Sequence, residues 1–134
     1  MTVNEMTDEQ LVWEWFMHNG WTRDCSLGED TEWGISYRGE RFLLRERHPL
    51  ANAEASEKVL EWLAENTHYV SFSWIGKVGG DECGWKCFVV FQPNIFPDPE
   101  LEKQFNAHNV SLRRAILEAA ILVKRALAEK ENAI

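Results

Sequence analysis

The residues that open the last apolar segment of the chain have the side chains of an anion site. Arg113 and Arg114 follow Asn109 and Ser111, two residue types that cap helix N-termini. A helix N-terminus carries partial positive charge, so acidic residues are favoured there and arginines are not. Two explanations stay open. Either the arginines pair with nearby carboxylates, such as Glu118 four residues after Arg114, or the helix start holds an anion with its free N–H groups.

The segment before that helix offers groups that would hold the rest of a nucleotide. Strand ends beside a helix N-terminus form a natural cleft for anions. Asn94 and Asn109 are expected to hydrogen-bond a base or ribose, and Phe91 or Phe96 to stack on the base. The predicted ligand-binding residues are Arg113, Arg114, Ser111, Asn109, Asn94 and Phe91.

The cysteines do not have the spacing of a metal site. Cys83 and Cys87 are separated by three residues, which on a strand places both thiols on one face, about 13 Å apart. That distance is too long for one metal ion or a disulfide bond, and Cys25 stands alone. We therefore expect buried or half-buried thiols and no bound metal.

No catalytic or cofactor constellation stands out. The four histidines are scattered singly, without a recognisable Ser-His-Asp arrangement. The glycines from Gly76 to Gly84 lack the lysine and serine spacing of a phosphate-binding loop. We expect no enzymatic activity and no cofactor, with a small hydrolase as a minor alternative.

Composition and charge narrow the classes of partner. The net charge of −8 argues against binding of duplex nucleic acid, which depends on lysine and arginine against phosphate. No apolar run approaches a membrane span, and the first residues lack the pattern of a signal peptide, so a cytoplasmic location is expected. Seven tryptophans in 134 residues indicate either an aromatic-rich core or a surface that grips a partner or stacks on bases. The same aromatic content allows a homo-oligomer.

Hydrophobic spacing and helix signals define the elements that must position these groups. Thr7 and Gln10 form a capping box that predicts a helix over residues 8–18. The longest apolar segment predicts a helix over residues 109–128 that is covered on more than one side. Other predicted elements are strands over 33–37 and 41–45 joined by the three-residue turn 38–40, a helix from 53 to about 66, strands over 69–75 and 85–91, and a short helical turn at about 100–106.

These elements predict one domain over residues 1–134 with an α+β fold. We expect an antiparallel sheet of four to five strands packed with two main helices, plus an N-terminal helix. The first and second helices also share a short pattern, Glu14-Trp15 with Asn19 and Glu61-Trp62 with Asn66. Six residues are too few to indicate a repeat, and two helices that need the same kind of end explain the pattern.

The second half resembles a family of small phage and prophage proteins with a phage ABA (alpha-beta-alpha) sandwich domain. The matching residues are His48-Pro49-Leu50, the helix Ala53 to Leu63, Trp74, the strand Trp85 to Val90, and Ser111 to Ala120 with its Ala-Ile pair and double alanine. The resemblance covers about residues 49–128. Residues 1–48, the N-terminal helix and hairpin, are extra to it.

The resemblance implies a helix–sheet–helix layering, an accessory role without enzymatic activity, and the host bacterial cytoplasm as location. Some phage counter-defence proteins sequester nucleotide signals of bacterial immunity, and others bind defence proteins directly. The leading hypothesis is therefore a protein that sequesters a small anionic nucleotide. The alternative is an acidic inhibitor that binds a host defence protein directly. Both rest on analogy in addition to the residues above.

Overall fold

The structure is a computed structural model that describes residues 2–24, 34–76, 83–91 and 103–132. Its helices are α1 (Asp8–His18), α2 (Leu44–Arg47), α3 (Ala53–Asn66) and α4 (Leu112–Asn132), and a 3-10 turn covers Val3–Glu5. Its strands are β1 (Thr22–Asp24), β2 (Gly34–Tyr37), β3 (Glu40–Leu43), β4 (Tyr69–Ile75), β5 (Gly84–Phe91) and β6 (Lys103–Asn109). In this part of the chain, no helix has the length and apolar character needed to cross a membrane.

Helix α1 begins where the capping box predicts. The Thr7 hydroxyl accepts a hydrogen bond from the Gln10 backbone N–H at 3.2 Å, and the Gln10 side chain accepts from the Thr7 N–H at 2.9 Å. Each bond satisfies an N–H that the first helical turn leaves without an intrahelical partner. The helix buries Leu11, Val12 and Phe16, so the predicted helix over residues 8–18 is confirmed.

Helix α4 lies at the centre of the molecule. Every residue from Ala115 to Ile121 is buried, and Val123 and Ala126 extend the buried stretch. A helix that is apolar on all sides must be covered on all sides, and α4 contacts β5, β6, α1 and α3. The predicted coverage on more than one side is confirmed. The helix starts at Leu112 instead of Asn109.

Strands β4, β5 and β6 form one antiparallel sheet with unequal faces. The inner face carries Cys87, Val89, Phe91 and Ala107, which are all buried in the same core as α4. The opposite face is more open to solvent, and Phe88 on it is only half-buried. The apolar run from Phe88 to Phe91 predicts a strand covered on both faces, and that prediction is wrong.

Strands β1, β2 and β3 form a second, smaller antiparallel sheet. The β2–β3 turn consists of Arg38 and Gly39, with φ of 50° and 84°. Positive φ at both central residues is the signature of a two-residue hairpin turn whose twist matches that of its strands. The predicted three-residue turn is therefore wrong, and the predicted strand to residue 45 ends at Leu43, where α2 begins.

The α+β class is confirmed, but the single sheet of four to five strands is wrong. The described strands form two sheets of three, because each strand pairs with its neighbour in sequence and α2 and α3 lie between β3 and β4. The helical turn predicted at about 100–106 is also wrong, since β6 starts at Lys103. Phe105 and Ala107 alternate with exposed polar residues there, which is the period of a strand.

Candidate functional site

The start of α4 is closed by its own side chains. The Asn109 side-chain oxygen accepts a hydrogen bond from the Ser111 N–H at 2.9 Å. The Ser111 hydroxyl accepts from the Arg114 N–H at 3.4 Å, as an N-cap residue does. The structure thus brings together three of the residues that the sequence predicted for ligand binding. The side chains of Asn109 and Ser111 already accept hydrogen bonds from backbone N–H groups that an anion would otherwise bind.

Arg114 makes ion pairs and hydrogen bonds within the protein. Its Nε donates to Glu118 Oε1 at 3.3 Å, and its Nη1 pairs with the Asp8 carboxylate. Its Nη2 donates to the carbonyl oxygens of Met6 at 2.5 Å and Val3 at 3.4 Å. A guanidinium has five N–H donors, and these contacts occupy all three nitrogen atoms. The carboxylate-pairing explanation for this arginine is confirmed.

The other predicted ligand-binding residues do not join this cluster. Arg113 donates to the Leu50 carbonyl oxygen at 3.4 Å. Phe91 is 3% exposed on the inner sheet face, and a ring in that position has no face open to a ligand, which argues against the predicted stacking role. Asn94 and Phe96 lie outside the described residues.

A second charge cluster joins α1 to the middle of α4. Arg125 donates to both oxygens of Glu14, at 2.7 and 2.5 Å, and His18 Nε2 lies 3.2 Å from the same carboxylate. Burial pushes the pKa of Glu14 upward, but Arg125 and His18 outweigh it and hold that pKa below its ordinary value. Bidentate Arg–carboxylate geometry is among the strongest forms of ion pair, so this cluster is structural.

Glu118 lies on a polar cavity of about 780 Å³ between the 3-10 turn, β6 and α4. The residue is 1% exposed, and burial raises its pKa although Arg114 acts in the opposite direction. Glu5, His108 and Arg125 also line the cavity. Because carboxylates and cations are mixed there, the cavity has no consistent charge with which to select an anion.

A second cleft, of about 290 Å³, has a different chemical character. We call it the tryptophan cleft; it is lined by Trp15, Phe16, Asn19, Trp21, Tyr37, Arg47, Ala55, Lys58, Val59 and Trp62. Helices α1 and α3 and the smaller sheet supply most of these residues. Among the described residues that line it none is acidic, although the chain as a whole has a net charge of −8.

The rings of the tryptophan cleft are held in two pairs. Trp15 and Trp62 meet edge to face, with ring centroids 5.5 Å apart and planes at 79°. Trp21 and Tyr37 are stacked at 5.0 Å and 20°. All four side chains are half-buried, so each combines packing within the protein with surface that remains open.

Three cations lie around these rings. Arg47 sits over the Phe42 ring, 4.8 Å from its centroid, and Lys58 is exposed. Lys124 reaches from α4 over Trp62 at 4.5 Å and over Trp15 at 5.6 Å. Cations over ring faces are attracted by the ring quadrupole, which fixes their positions beside the cleft.

The sequence contained one signal for this cleft, the pattern shared by the ends of α1 and α3. The Asn19 amide donates to the Trp15 carbonyl oxygen at 2.7 Å, and the Asn66 amide donates to that of Trp62 at 2.8 Å. The two helices therefore end alike, as expected. In addition, the pattern gives each helix a tryptophan at the corresponding position, and these two rings meet.

The thiols are as predicted for the two cysteines that can be assessed. Cys83 is half-buried and Cys87 is buried, and both are free. Burial raises the pKa of the Cys87 thiol to about 12, which leaves it protonated and unreactive at neutral pH. Among the described residues no group of three or more His, Cys, Asp or Glu side chains could hold a metal ion. Cys25 lies outside those residues.

Comparison with known proteins adds no family to this description. No protein-family model, curated protein or solved structure matches this chain. The phage ABA sandwich therefore stays a prediction from the pattern of residues in the second half of the chain.

Proposed function

We propose that this protein is a non-catalytic binder of a small anionic nucleotide, and that the tryptophan cleft is its binding site. The observation that supports the proposal is the pairing of four half-buried aromatic rings with Arg47 and Lys58, without a carboxylate among the described residues of the lining. A nucleotide is a planar base joined to phosphate, and this cleft offers the complement of each part.

The rings account for recognition of the base. A base stacked on an aromatic side chain contributes about 1–3 kcal/mol by alanine substitution. Trp15 and Trp62 present an edge and a face at the same point, so a base in the cleft would stack on one ring and contact the edge of the other. A volume of about 290 Å³ is at the lower end of the range for small-molecule sites, which suits one base with its sugar better than a larger ligand.

The cations account for recognition of the phosphate. Arg47 is held in place by the Phe42 ring, and a guanidinium in a fixed position can donate two parallel hydrogen bonds to phosphate oxygens. Lys58 is exposed on α3, one turn before Trp62, so its ammonium group reaches a phosphate outside the cleft. This site replaces the α4 start as the proposed anion site, because Arg114 is already bonded to Glu118 and Asp8.

The proposed role of this binding is sequestration of a nucleotide signal of bacterial immunity by a phage or prophage protein in the host cytoplasm. That part rests on the resemblance of residues 49–128 to the phage ABA sandwich family, and it stays a prediction. Sequestration needs affinity without turnover. Recovery of the ligand chemically unchanged after incubation is therefore part of the test.

The test measures the melting temperature of the protein with a panel of mononucleotides, cyclic dinucleotides, cyclic trinucleotides and ADP-ribose isomers. A ligand at 100 times its Kd stabilises the folded state by about 2.7 kcal/mol, which in a chain of 134 residues raises the Tm by about 10 °C. Trp62→Ala and Lys58→Glu should each reduce the shift. Arg113→Glu, at the helix start predicted from sequence, is the matched control and should leave it unchanged.

Two results would contradict the proposal. The first is the absence of a shift with every nucleotide. The second is a shift that Arg113→Glu abolishes and Trp62→Ala does not, because that would return the site to the start of α4. Chemical conversion of the ligand during incubation would show that the protein is an enzyme and not a non-catalytic binder.

The alternative function, an acidic inhibitor of a host defence protein, is supported by one observation on α3. Glu57, Glu61 and Glu65 are exposed and repeat at intervals of four residues, an arrangement that destabilises a helix by like-charge repulsion. Such a row suits a basic partner surface. Capture of a defence protein that the triple substitution to Gln abolishes, together with no nucleotide binding, would favour this alternative.

A further inference from the structure

The outer sheet face is a second surface with its own chemistry. It consists of the odd-numbered residues 69–73 of β4, the even-numbered residues 86–90 of β5 and the even-numbered residues 104–108 of β6, which the strand register places side by side. All nine side chains are exposed or half-buried, whereas their neighbours on the inner face include Cys87 and Val89 at 0% exposure.

An aromatic pair extends from the first residue of β4 to the neighbouring strand β5 on this face. Tyr69 and Phe88 lie on adjacent strands with ring centroids 6.1 Å apart and planes at 64°. Tyr69 is 55% exposed and Phe88 is half-buried. Transfer of a large aromatic ring out of water is favourable, so an exposed aromatic pair on a sheet is a platform for another planar group.

The charge of this sheet differs from that of the rest of the molecule. The chain has 22 acidic residues, but the 7, 8 and 7 residues of β4, β5 and β6 include none. On the outer sheet face Lys86 stands directly opposite His108. Glu5 shares the polar cavity with His108 at the edge of β6, so Lys86, in the central strand, is the cation on which the argument depends.

The remaining side chains of the face are uncharged hydrogen-bonding groups. Ser73 lies opposite Lys86, and Asn106 lies opposite Phe88. Hydroxyl and amide groups beside aromatic rings can bond to the edges of unpaired bases, which is how proteins read single strands. In a duplex the pairing edges of the bases are already occupied, and the dense phosphate array outside needs more cations than this face has.

From this combination we infer that the outer sheet face binds a short single-stranded nucleic acid. Tyr69 and Phe88 stack on the bases, the serine and asparagine side chains bond to base edges, and Lys86 contacts a phosphate. Five residues at about 3.4 Å each give a platform roughly 17 Å long, enough for about two or three stacked bases. The site is separate from the tryptophan cleft and does not depend on the proposed function.

The small number of cations gives the binding a distinctive salt dependence. Each phosphate of a single strand that a protein cation neutralises contributes about −0.7 to the slope of log K against log[salt]. With Lys86 as the cation, the slope is expected to be about −0.7. Non-specific attraction of a polyanion to a basic protein gives a much steeper slope.

The test is fluorescence anisotropy with 5′-labelled rU8 and dT8 from 25 to 200 mM salt, with a labelled duplex of the same length as a third probe. Tyr69→Ala removes an exposed ring and should weaken binding from about 5-fold to about 150-fold, the range for the loss of one stacked base. Lys86→Glu should weaken binding and flatten the slope by about 0.7. A difference between rU8 and dT8 shows whether the sugar is read.

Two variants serve as controls. Lys103→Glu makes the same charge change in the same sheet, but Lys103 pairs with the inner-face residue Phe91 and lies 3.7 Å from Glu129, so its effect should be small. Trp62→Ala removes the tryptophan cleft and should leave oligonucleotide binding unchanged. Circular dichroism of each variant confirms that the fold is kept.

Four outcomes would overturn the inference: no anisotropy change for either single strand at 100 µM protein, tighter binding of the duplex than of the single strands, equal effects of Lys86→Glu and Lys103→Glu, or self-association in sedimentation experiments that Tyr69→Ala abolishes. The last result would assign the face to a second copy of the chain.

Discussion

Replacement of Arg114 by methionine tests whether this residue serves the fold or a ligand. Methionine keeps most of the volume of the side chain and removes every donor. Glu118, 1% exposed, then loses its hydrogen-bonded cation, and the carbonyl oxygens of Met6 and Val3 lose theirs. If the arginine instead served only to bind an anion, its removal would leave the free energy of unfolding unchanged.

The expected size of the loss follows from the options open to Glu118. Removal of one partner from a buried ion pair costs about 3–5 kcal/mol when the other charge stays buried. Glu118 can also take up a proton, and protonation of a carboxyl with an ordinary pKa of about 4.3 costs about 3.7 kcal/mol at pH 7, at about 1.36 kcal/mol for each pH unit. We therefore expect Arg114→Met to lower the free energy of unfolding by about 3–4 kcal/mol at pH 7, since the exposed partner Asp8 adds little.

The pH dependence identifies Glu118 as the cause. The pKa of Glu118 is already raised in the folded protein and rises further without Arg114. A group with a raised folded pKa favours folding below its unfolded pKa and opposes it as the pH increases. The loss should therefore be smaller at pH 5 than at pH 7, by at most about 1.36 kcal/mol per pH unit. Adding Glu118→Gln to the variant should restore most of the stability and remove this dependence.

The assay is urea unfolding followed by tryptophan fluorescence, with the change in midpoint converted through the slope m. Arg113→Met is the matched control, because Arg113 makes one 3.4 Å contact with the Leu50 carbonyl oxygen and should lose no more than about 1 kcal/mol. A loss below 1 kcal/mol for Arg114→Met, or a loss that is the same at pH 5 and pH 7, would refute this account of the α4 start.

Three further outcomes are expected. Glu14→Gln should lower the free energy of unfolding by about 1.5–3 kcal/mol at neutral pH, because the bond to Arg125 is charge-assisted. The difference between variant and native protein should narrow below about pH 4, since a depressed folded pKa gives stability that is lost as the pH falls through it. Urea titrations at pH 3 and pH 7 measure this difference. Cys87 should resist iodoacetamide in the native protein and react only after unfolding, whereas the half-buried Cys83 reacts first, as peptide mapping would show. Gly84→Ala should lower the Tm, because an added Cβ would lie 2.9 Å from a β6 carbonyl oxygen; an unchanged Tm in a thermal scan would contradict this.

The sequence was most informative where a local signal and the tertiary environment agree. The capping box of α1, the period of α3 and α4, the alternation in β4 and the apolar run in β5 each predicted an element that the structure contains. β6 was missed because the segment follows three prolines and has only Phe105 and Ala107 as inward apolar residues. The number of sheets could not be predicted, since no residue pattern within β3 or β4 indicates whether these two strands pair across the helices between them.

The candidate site was harder to predict for the same physical reason. Arginines at a helix start are an electrostatic anomaly that the sequence shows, but the partners of Arg114 include Asp8, 106 residues away. The tryptophan cleft joins α1, α3 and the smaller sheet, and only the repeated Glu-Trp pattern hinted that two of its rings play similar parts. Spacing along the chain reports contacts within an element, whereas this cleft is made of contacts between elements.

The position of α4 in the chain has a consequence for synthesis. Helices α1 and α3 and both described sheets precede α4, yet α4 is the element that β5, β6, α1 and α3 have in common. A ribosome adds about 5–20 residues per second, so the 114 residues between the end of α1 and the end of α4 take about 6–23 s to make. During that time α1 can meet α3 through Trp15 and Trp62, but it lacks α4, its main helical neighbour. The core that β5, β6, α1 and α3 share with α4 is therefore completed only after the central helix leaves the ribosome.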